Sequence, residues 1–214
     1  MSKITGIKAA RGREKRVKVF LDGEPALDLL AETARQEKLK AGQEINQGQL
    51  HTLESQDRFQ RCLNAALRLL GYRPRSEKEL RQRLQRHGFD GEYLEKALAK
   101  LKEQGLVDDI AFARFWKENR ETFSPRSRRM TKLELRRKGL SSDVIEQVIG
   151  EIDDSESAYR AAVKRATRLA DTDYQEFRQR LGAYLGRRGF SYSIIKEITK
   201  KVWQEKTTLE TVNK

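Results

Sequence analysis

The chain has 214 residues, 37% hydrophobic, 36% charged and only 7% aromatic, a mix that favours thin helical layers around several small cores over one thick globule. No apolar run approaches the roughly 18 residues needed to span a bilayer, and no apolar stretch backs the N-terminal charges, so neither a membrane protein nor a secreted one is indicated and a cytosolic location is expected. The lone Cys62 excludes an internal disulfide, and His51 and His87 are too few for a protein-built zinc site, so no metal and no other cofactor is expected.

The first 53 residues read as a β-rich extension. Alternation in "RVKVFL" leads into an Asp-Gly turn signal and then "PALDLL", which predicts a hairpin or small antiparallel sheet, with "AETARQEKLKAG" as a short helix. The segment "QDRFQRCLNAALRLLGY" then predicts a helix, in which Cys62 is a small packing residue.

A repeat follows. Gly88, Gly139 and Gly189 are spaced by 51 and 50 residues. Four positions before each lies a leucine, Leu84, Leu135 and Leu185, and one after lies Phe89, Leu140 or Phe190. Apolar residues recur six, nine and thirteen positions after each glycine, at helical intervals. A left-handed glycine closing a helix explains this pattern, because the residue after it then touches the leucine of the last turn. Ser76 and Ser127, each preceded two positions earlier by a proline, are the expected N-caps of the closed helices; the third unit has "DYQE" in place of Pro-Arg-Ser. Each unit also has an earlier helix, "DDIAFARFWKENRE" in the second and "SESAYRAAVKRATRL" in the third, giving three three-helix repeats over 54–105, 106–154 and 155–206, with a tail at 207–214. Asp108 and Asp109 are read as a cap and a first-turn charge rather than as a catalytic or metal-binding pair.

The formal charge of +13 points to a polyanionic partner, and its placement is uneven. Residues 56–140 hold 22 basic and 12 acidic side chains, an excess of 10, whereas the flanking segments are nearly balanced. The stretch "SPRSRRMTKLELRRKGL" carries Arg126, Arg128, Arg129, Lys132, Arg136, Arg137 and Lys138, and its counterpart one repeat earlier carries Arg73, Arg75, Lys78 and Arg81. Arg129, Lys132 and Arg136 share a helical stripe, with Met130 and Leu133 expected on the opposite side. These eleven residues are the candidate anion-binding set. The helix after Gly139 is acidic and poor in base-reading side chains, so phosphate contact is expected and sequence reading is not. No glycine-rich phosphate loop, dispersed His–carboxylate set or nucleophile beside a base is present, so a binding protein and not an enzyme is expected.

The segments "PRSEKELRQRLQRHGF", "LEKALAKLKEQGLVDDIAFARFW" and "LRRKGLSSDVIEQVI" resemble the RecX family of bacterial recombination regulators over about residues 58 to 204, and "ITGIKAARGREKRVKVFLDGEPALDL" is similar to an extension that some members carry. The resemblance implies an all-α fold of three helix-turn-helix-like repeats in a curved array. It also implies binding along the groove of the RecA filament, with inhibition of strand exchange, ATP hydrolysis and repressor cleavage in the SOS response. Weak binding to single- and double-stranded DNA without sequence preference, and no catalytic residue, go with it. A monomer is the expected state. An independent nucleic-acid-binding or transcriptional regulator of helix-turn-helix type is the alternative reading.

Overall fold

Asp22 and Gly23, at φ +50 and +94, make the two-residue turn that alternating strands demand, and they join β2 (Arg16–Leu21) to β3 (Glu24–Leu30). In this computed structural model, which describes residues 1–10, 15–169 and 172–212 (backbone alone from 209), strand β1 (Ser2–Ala10) pairs antiparallel with β2, and the two-residue β4 (Glu44–Ile45) closes the other edge of β1. Residues 11–14 of the expected extension and the last two of the expected tail lie outside the described residues. The sheet order is β3-β2-β1-β4; Ile4, Val19, Leu21, Leu27, Leu29 and Ile45 form its buried face. The short helix α1 (Ala31–Gln36) follows β3 directly.

Helix α2 (Gln47–Tyr72) starts well before its apolar periodicity does. A capping box holds it there: Asn46 Oδ1 accepts from Gln49 N–H, and Gln49 Oε1 accepts from Asn46 N–H, both at 2.8 Å. Its first half lends Leu53 to the sheet core, and its second half lends Cys62, Leu63 and Ala66 to the first repeat. Burial raises the Cys62 thiol pKa to about 11, so the side chain packs and does not react at neutral pH. At the seam, the buried Asp57 Oδ1 accepts from Leu30 N–H at 2.6 Å and from the Thr33 hydroxyl at 3.4 Å, tying the β3–α1 corner to α2.

The repeats are three helices each: α2, α3 (Glu77–Arg86) and α4 (Gly91–Glu103); α5 (Asp109–Phe123), α6 (Arg128–Arg137) and α7 (Ser142–Ile149); α8 (Asp154–Ala166), α9 (Tyr174–Arg187) and α10 (Tyr192–Val212). By contacts the chain divides into two units, Met1–Val107 and Asp108–Lys214. In each repeat the first helix packs on the third, and the repeat has its own buried cluster. The turn after the second helix is the one that the glycine spacing predicts. Gly88, Gly139 and Gly189 sit at φ +81, +90 and +88. The carbonyls of Leu84, Leu135 and Leu185 accept from the N–H of Phe89, Leu140 and Phe190 at 3.1, 3.3 and 3.4 Å. All three leucines are fully buried. Ser76 and Ser127 cap α3 and α6, each accepting an N–H at 3.2 Å, and Asp108 caps α5. Asp173 caps α9, which runs 14 residues where α3 and α6 run 10. Among the described residues no helix is long and apolar enough to cross a membrane.

Repeats two and three meet within the second unit, at Gly189. A Cβ there would fall 2.6 Å from Ser127 Oγ and 3.0 Å from Met130 Cβ. At Gly88 a Cβ would meet nothing within 4 Å. Gly88→Ala should therefore cost about 1 kcal/mol of left-handed backbone strain. Gly189→Ala should cost that plus ~1–3 kcal/mol of overpacking. Urea denaturation of both variants measures the difference, and equal losses would mean that the junction is not tightly packed.

Candidate functional site

The basic helix α6 is oriented by its apolar residues: Thr131 and Leu135 are buried, which turns Arg129, Arg136 and Arg137 outward. Leu133 does not lie opposite the stripe. Four residues turn a helix through about 400°, so Leu133 returns beside Arg129; it is 40% exposed on the basic face. Met130 is half-buried near Gly189.

Most of the eleven candidate cations are engaged inside the protein. Glu134 gathers Arg126 at 2.9 Å, Arg120 at 2.8 Å and the Trp116 indole N–H at 2.8 Å. The Arg128 guanidinium donates to the carbonyls of Gly150 and Ile152 at 3.1 and 2.8 Å, and its backbone N–H donates to Asp154. Lys138 lies 4.7 Å from the Trp116 ring centre. In the first repeat, Arg73 and Arg75 both pair with Glu79, and Arg75, 8% exposed, also donates to the Leu69 carbonyl at 3.0 Å. Those contacts build the loop before α3.

Two further cations form a repeated strut. Seven positions before and after each repeat glycine stand Arg81 and Glu95, then Lys132 and Glu146, and each pair is joined by an ion pair between the second and third helices. Arg81 also holds Glu77 at 3.0 Å. The hydrogen bond from Arg81 lowers the Glu95 pKa, and that from Lys132 lowers the Glu146 pKa. The third repeat has Gly182 and Lys196 at these positions, and a Cβ on Gly182 would lie 3.5 Å from Ile195 Cγ2, so helix contact replaces the strut.

Lys78, Arg129, Arg136 and Arg137 remain exposed and, among the described residues, form no hydrogen bond or ion pair through their side chains. On α6 the three arginines surround Leu133, and Arg129 and Arg136 stand about 10.5 Å apart along the axis. Sequence reasoning missed Arg86, exposed on α3; its counterpart 51 residues on is Arg137, so the repeat offset could have found it. The Pro-Arg-Ser loop of the second repeat has a further structural role: Arg188 donates to Ser124 Oγ at 3.0 Å and to the Pro125 carbonyl at 2.8 Å, while Ser127 N–H donates to the Arg188 carbonyl at 3.1 Å. No group of three or more His, Cys, Asp or Glu that could hold a metal occurs among the described residues.

Against known families, residues 62–101, 108–149 and 151–199 match the first, second and third three-helix domains of RecX. The chain belongs to the RecX family. It is 36% identical over 165 residues to the regulatory protein RecX of Amycolatopsis mediterranei (strain U-32), covering 74% of this chain and 94% of that one. It is 30% identical over 206 residues to the regulatory protein RecX of Clostridium botulinum (strain Eklund 17B / Type B), covering 94% and 96%. The crystal structure of a regulatory protein RecX shares the fold with a TM-score of 0.66 at 24% identity, over 94% of this chain and all of that one. That of RecX from Lactobacillus salivarius has a TM-score of 0.56 at 26% identity, covering 68% and 97%. The RecX match assigns this chain to a family of regulators that is not a known enzyme family.

The strut and the open arginines should separate in experiment. Lys132→Glu should lower the melting temperature and the further change Glu146→Lys should restore it, whereas Arg129→Glu should leave it unchanged. Because the Glu146 pKa is lowered on folding, the strut's contribution is full above the ordinary value of 4.5 and fades as pH falls through the lowered one. The stability gap between wild type and Lys132→Ala, followed by melts from neutral to acid pH, should close in that direction.

Proposed function

We propose that this RecX-family protein binds the RecA nucleoprotein filament along its groove and inhibits its recombinase, ATPase and coprotease activities. Family membership supports RecA as the partner. The observation that carries the surface is the set of open cations on α6, Arg129, Arg136 and Arg137 around the exposed Leu133. Like charges this close repel, and acidic protein surface or DNA phosphate relieves them. The flanking Arg126, Arg128, Lys132 and Lys138 are already engaged by partners within the protein. In the first repeat Lys78, joined by Arg86, extends the same chemistry, while Arg73, Arg75 and Arg81 are structural.

DNA binding of the sequence-neutral kind fits the same residues. The third helix of the second repeat carries Asp143 and Glu146 on its outer side, which disfavours a base-reading role for it and with it the transcription-factor reading. Weak contact with single- and double-stranded DNA through phosphates is the expected mode.

Reversal of Arg129, Arg136 and Arg137 to Glu should raise the concentration needed for half-suppression of the single-stranded-DNA-dependent RecA ATPase by at least about tenfold, ~1.4 kcal/mol. The matched control reverses Lys164, Lys196 and Lys200, exposed in the third repeat; Lys201 is unsuitable because it lies 4.4 Å from the Tyr159 ring centre. Measurements belong at protein concentrations too low to coat the DNA. Undiminished suppression by the α6 variant would assign the helix to solvent. Failure of the wild-type protein to suppress the ATPase at all, together with strong preference for one duplex sequence, would favour an independent DNA-binding regulator.

A further inference from the structure

A second cationic concavity lies in the first unit. It is a notch of about 310 Å³ where the start of β2, the β3–α1 corner and the outer face of α2 converge. Lys15, Arg35, Arg61 and Arg68 line it, with Asn64 between the two α2 arginines and, among the described residues, Glu32 as the one carboxylate in the lining. Lys15 and Arg35 come from residues 1–55, which hold 10 basic and 8 acidic side chains, and Arg61 and Arg68 from the more basic stretch that follows; the fold brings the two pairs together.

The placement follows from packing. On α2, Arg61, Asn64 and Arg68 fall at i, i+3 and i+7, one stripe, while Cys62, Leu63 and Ala66 bury the opposite side in the repeat core. The Asp57 bonds to Leu30 N–H and Thr33 fix the corner that carries Arg35, and the Lys15 carbonyl accepts from Ala31 N–H at 2.8 Å. Backbone and buried hydrogen bonds therefore hold all three walls before any ligand arrives. Arg35 and Arg61 are exposed and form no hydrogen bond or ion pair through their side chains among the described residues. Asn64 Oδ1 accepts from Gln60 Nε2 at 3.0 Å, and its two amide N–H groups form no hydrogen bond among the described residues. Among the described residues, four cations, of which Arg68 already has a partner, and an amide donor stand against a single carboxylate, which matches an anion with many acceptor oxygens.

We propose that this notch is a separate phosphodiester-binding site that takes the backbone of a nucleic-acid strand. Guanidinium forks suit phosphate oxygens. Arg61 and Arg68 stand about 10.5 Å apart along α2. The site needs neither RecA nor the α6 arginines, so it can fail or stand independently of the filament reading.

The test uses the full-length protein and a labelled oligonucleotide, single-stranded and as a duplex, with no RecA present. Arg35→Glu/Arg61→Glu should weaken binding by about tenfold or more at low salt, and the slope of log affinity against log salt should flatten by roughly 1.4 on the single strand or 1.8 on the duplex, the loss of two phosphate contacts. Arg35→Gln/Arg61→Gln should fall between this and wild type, and it carries the test if the reversal fails to fold by circular dichroism. Lys18→Glu/Lys40→Glu, the same charge change on exposed lysines outside the notch, should do neither. Unchanged affinity and slope in the notch variant overturn the proposal, as does an equal loss in the Lys18/Lys40 control. So does loss of DNA binding only when Arg129, Arg136 and Arg137 are reversed. Vesicles containing anionic lipid form the last arm: binding to them that the notch variant loses, with DNA binding intact, would assign the site to headgroup phosphates instead.

Discussion

The left-handed glycine that closes the second helix of each repeat is the constraint on which the rest depends. With the residue after it bonded back to a buried leucine, the chain leaves α3, α6 and α9 in one direction, and the helix that follows is committed to an angle. Only then do the apolar residues six, nine and thirteen positions on, Ile145, Val148 and Ile152 in the second repeat, meet the first helix and complete a core. Each such core is small, so a misdirected exit would leave it without a partner face. The same turn fixes the rotation of the second helix about its own axis. Burial of Leu135 is what sends Arg129, Arg136 and Arg137 to the outside.

The density of cations around α3 and α6 is tolerated because most of the eleven candidates are compensated locally. Glu134 absorbs two arginines and an indole N–H, and Arg128 satisfies carbonyls at the end of α7 that no helix bond reaches. The strut between second and third helices uses different cations, arginine in one repeat and lysine in the next, at the same positions. In the third repeat it is gone, and α9 instead joins the second repeat through Arg188, whose guanidinium reaches Ser124 and Pro125. The Pro-Arg-Ser motif is accordingly an architectural loop first. What stays open is a smaller and more localised set of charges than the sequence total suggests.

The architecture was legible because its determinants are local: a glycine at C′, a leucine four before it, a serine cap after a proline. The hairpin was legible from Asp22 and Gly23 for the same reason. Strand β1 and the two-residue β4 were not, since "SKITGIKAA" carries no turn signal of its own and β4 exists only by pairing with Ser2 and Lys3. The early start of α2 was hidden in a polar capping box. For the charged site the limit is different. Whether a cation is open depends on carboxylates and carbonyls far along the chain, as with Lys132 and Glu146, 14 residues apart, or Arg128 and Ile152, 24 apart. Composition locates the charge, but only the fold says which charges are already answered.

Helix α2 has the largest consequence for how the first unit works. It serves two cores at once, Leu53 in the sheet and Cys62, Leu63 and Ala66 in the repeat, with Asp57 bonded across the seam. A continuous 26-residue helix resists sharp bending, because a kink must break backbone hydrogen bonds, and α2 contains neither a proline nor a Gly/Ser pair to localise one. Sheet and first repeat are therefore one mechanical body, not a repeat with a tethered appendage. Charges on α1 and α2 keep a fixed relation to Lys78 and Arg86 on α3, which packs on the same helix. A ligand that engaged charges on more than one of these helices would therefore not carry the entropic cost of ordering a linker.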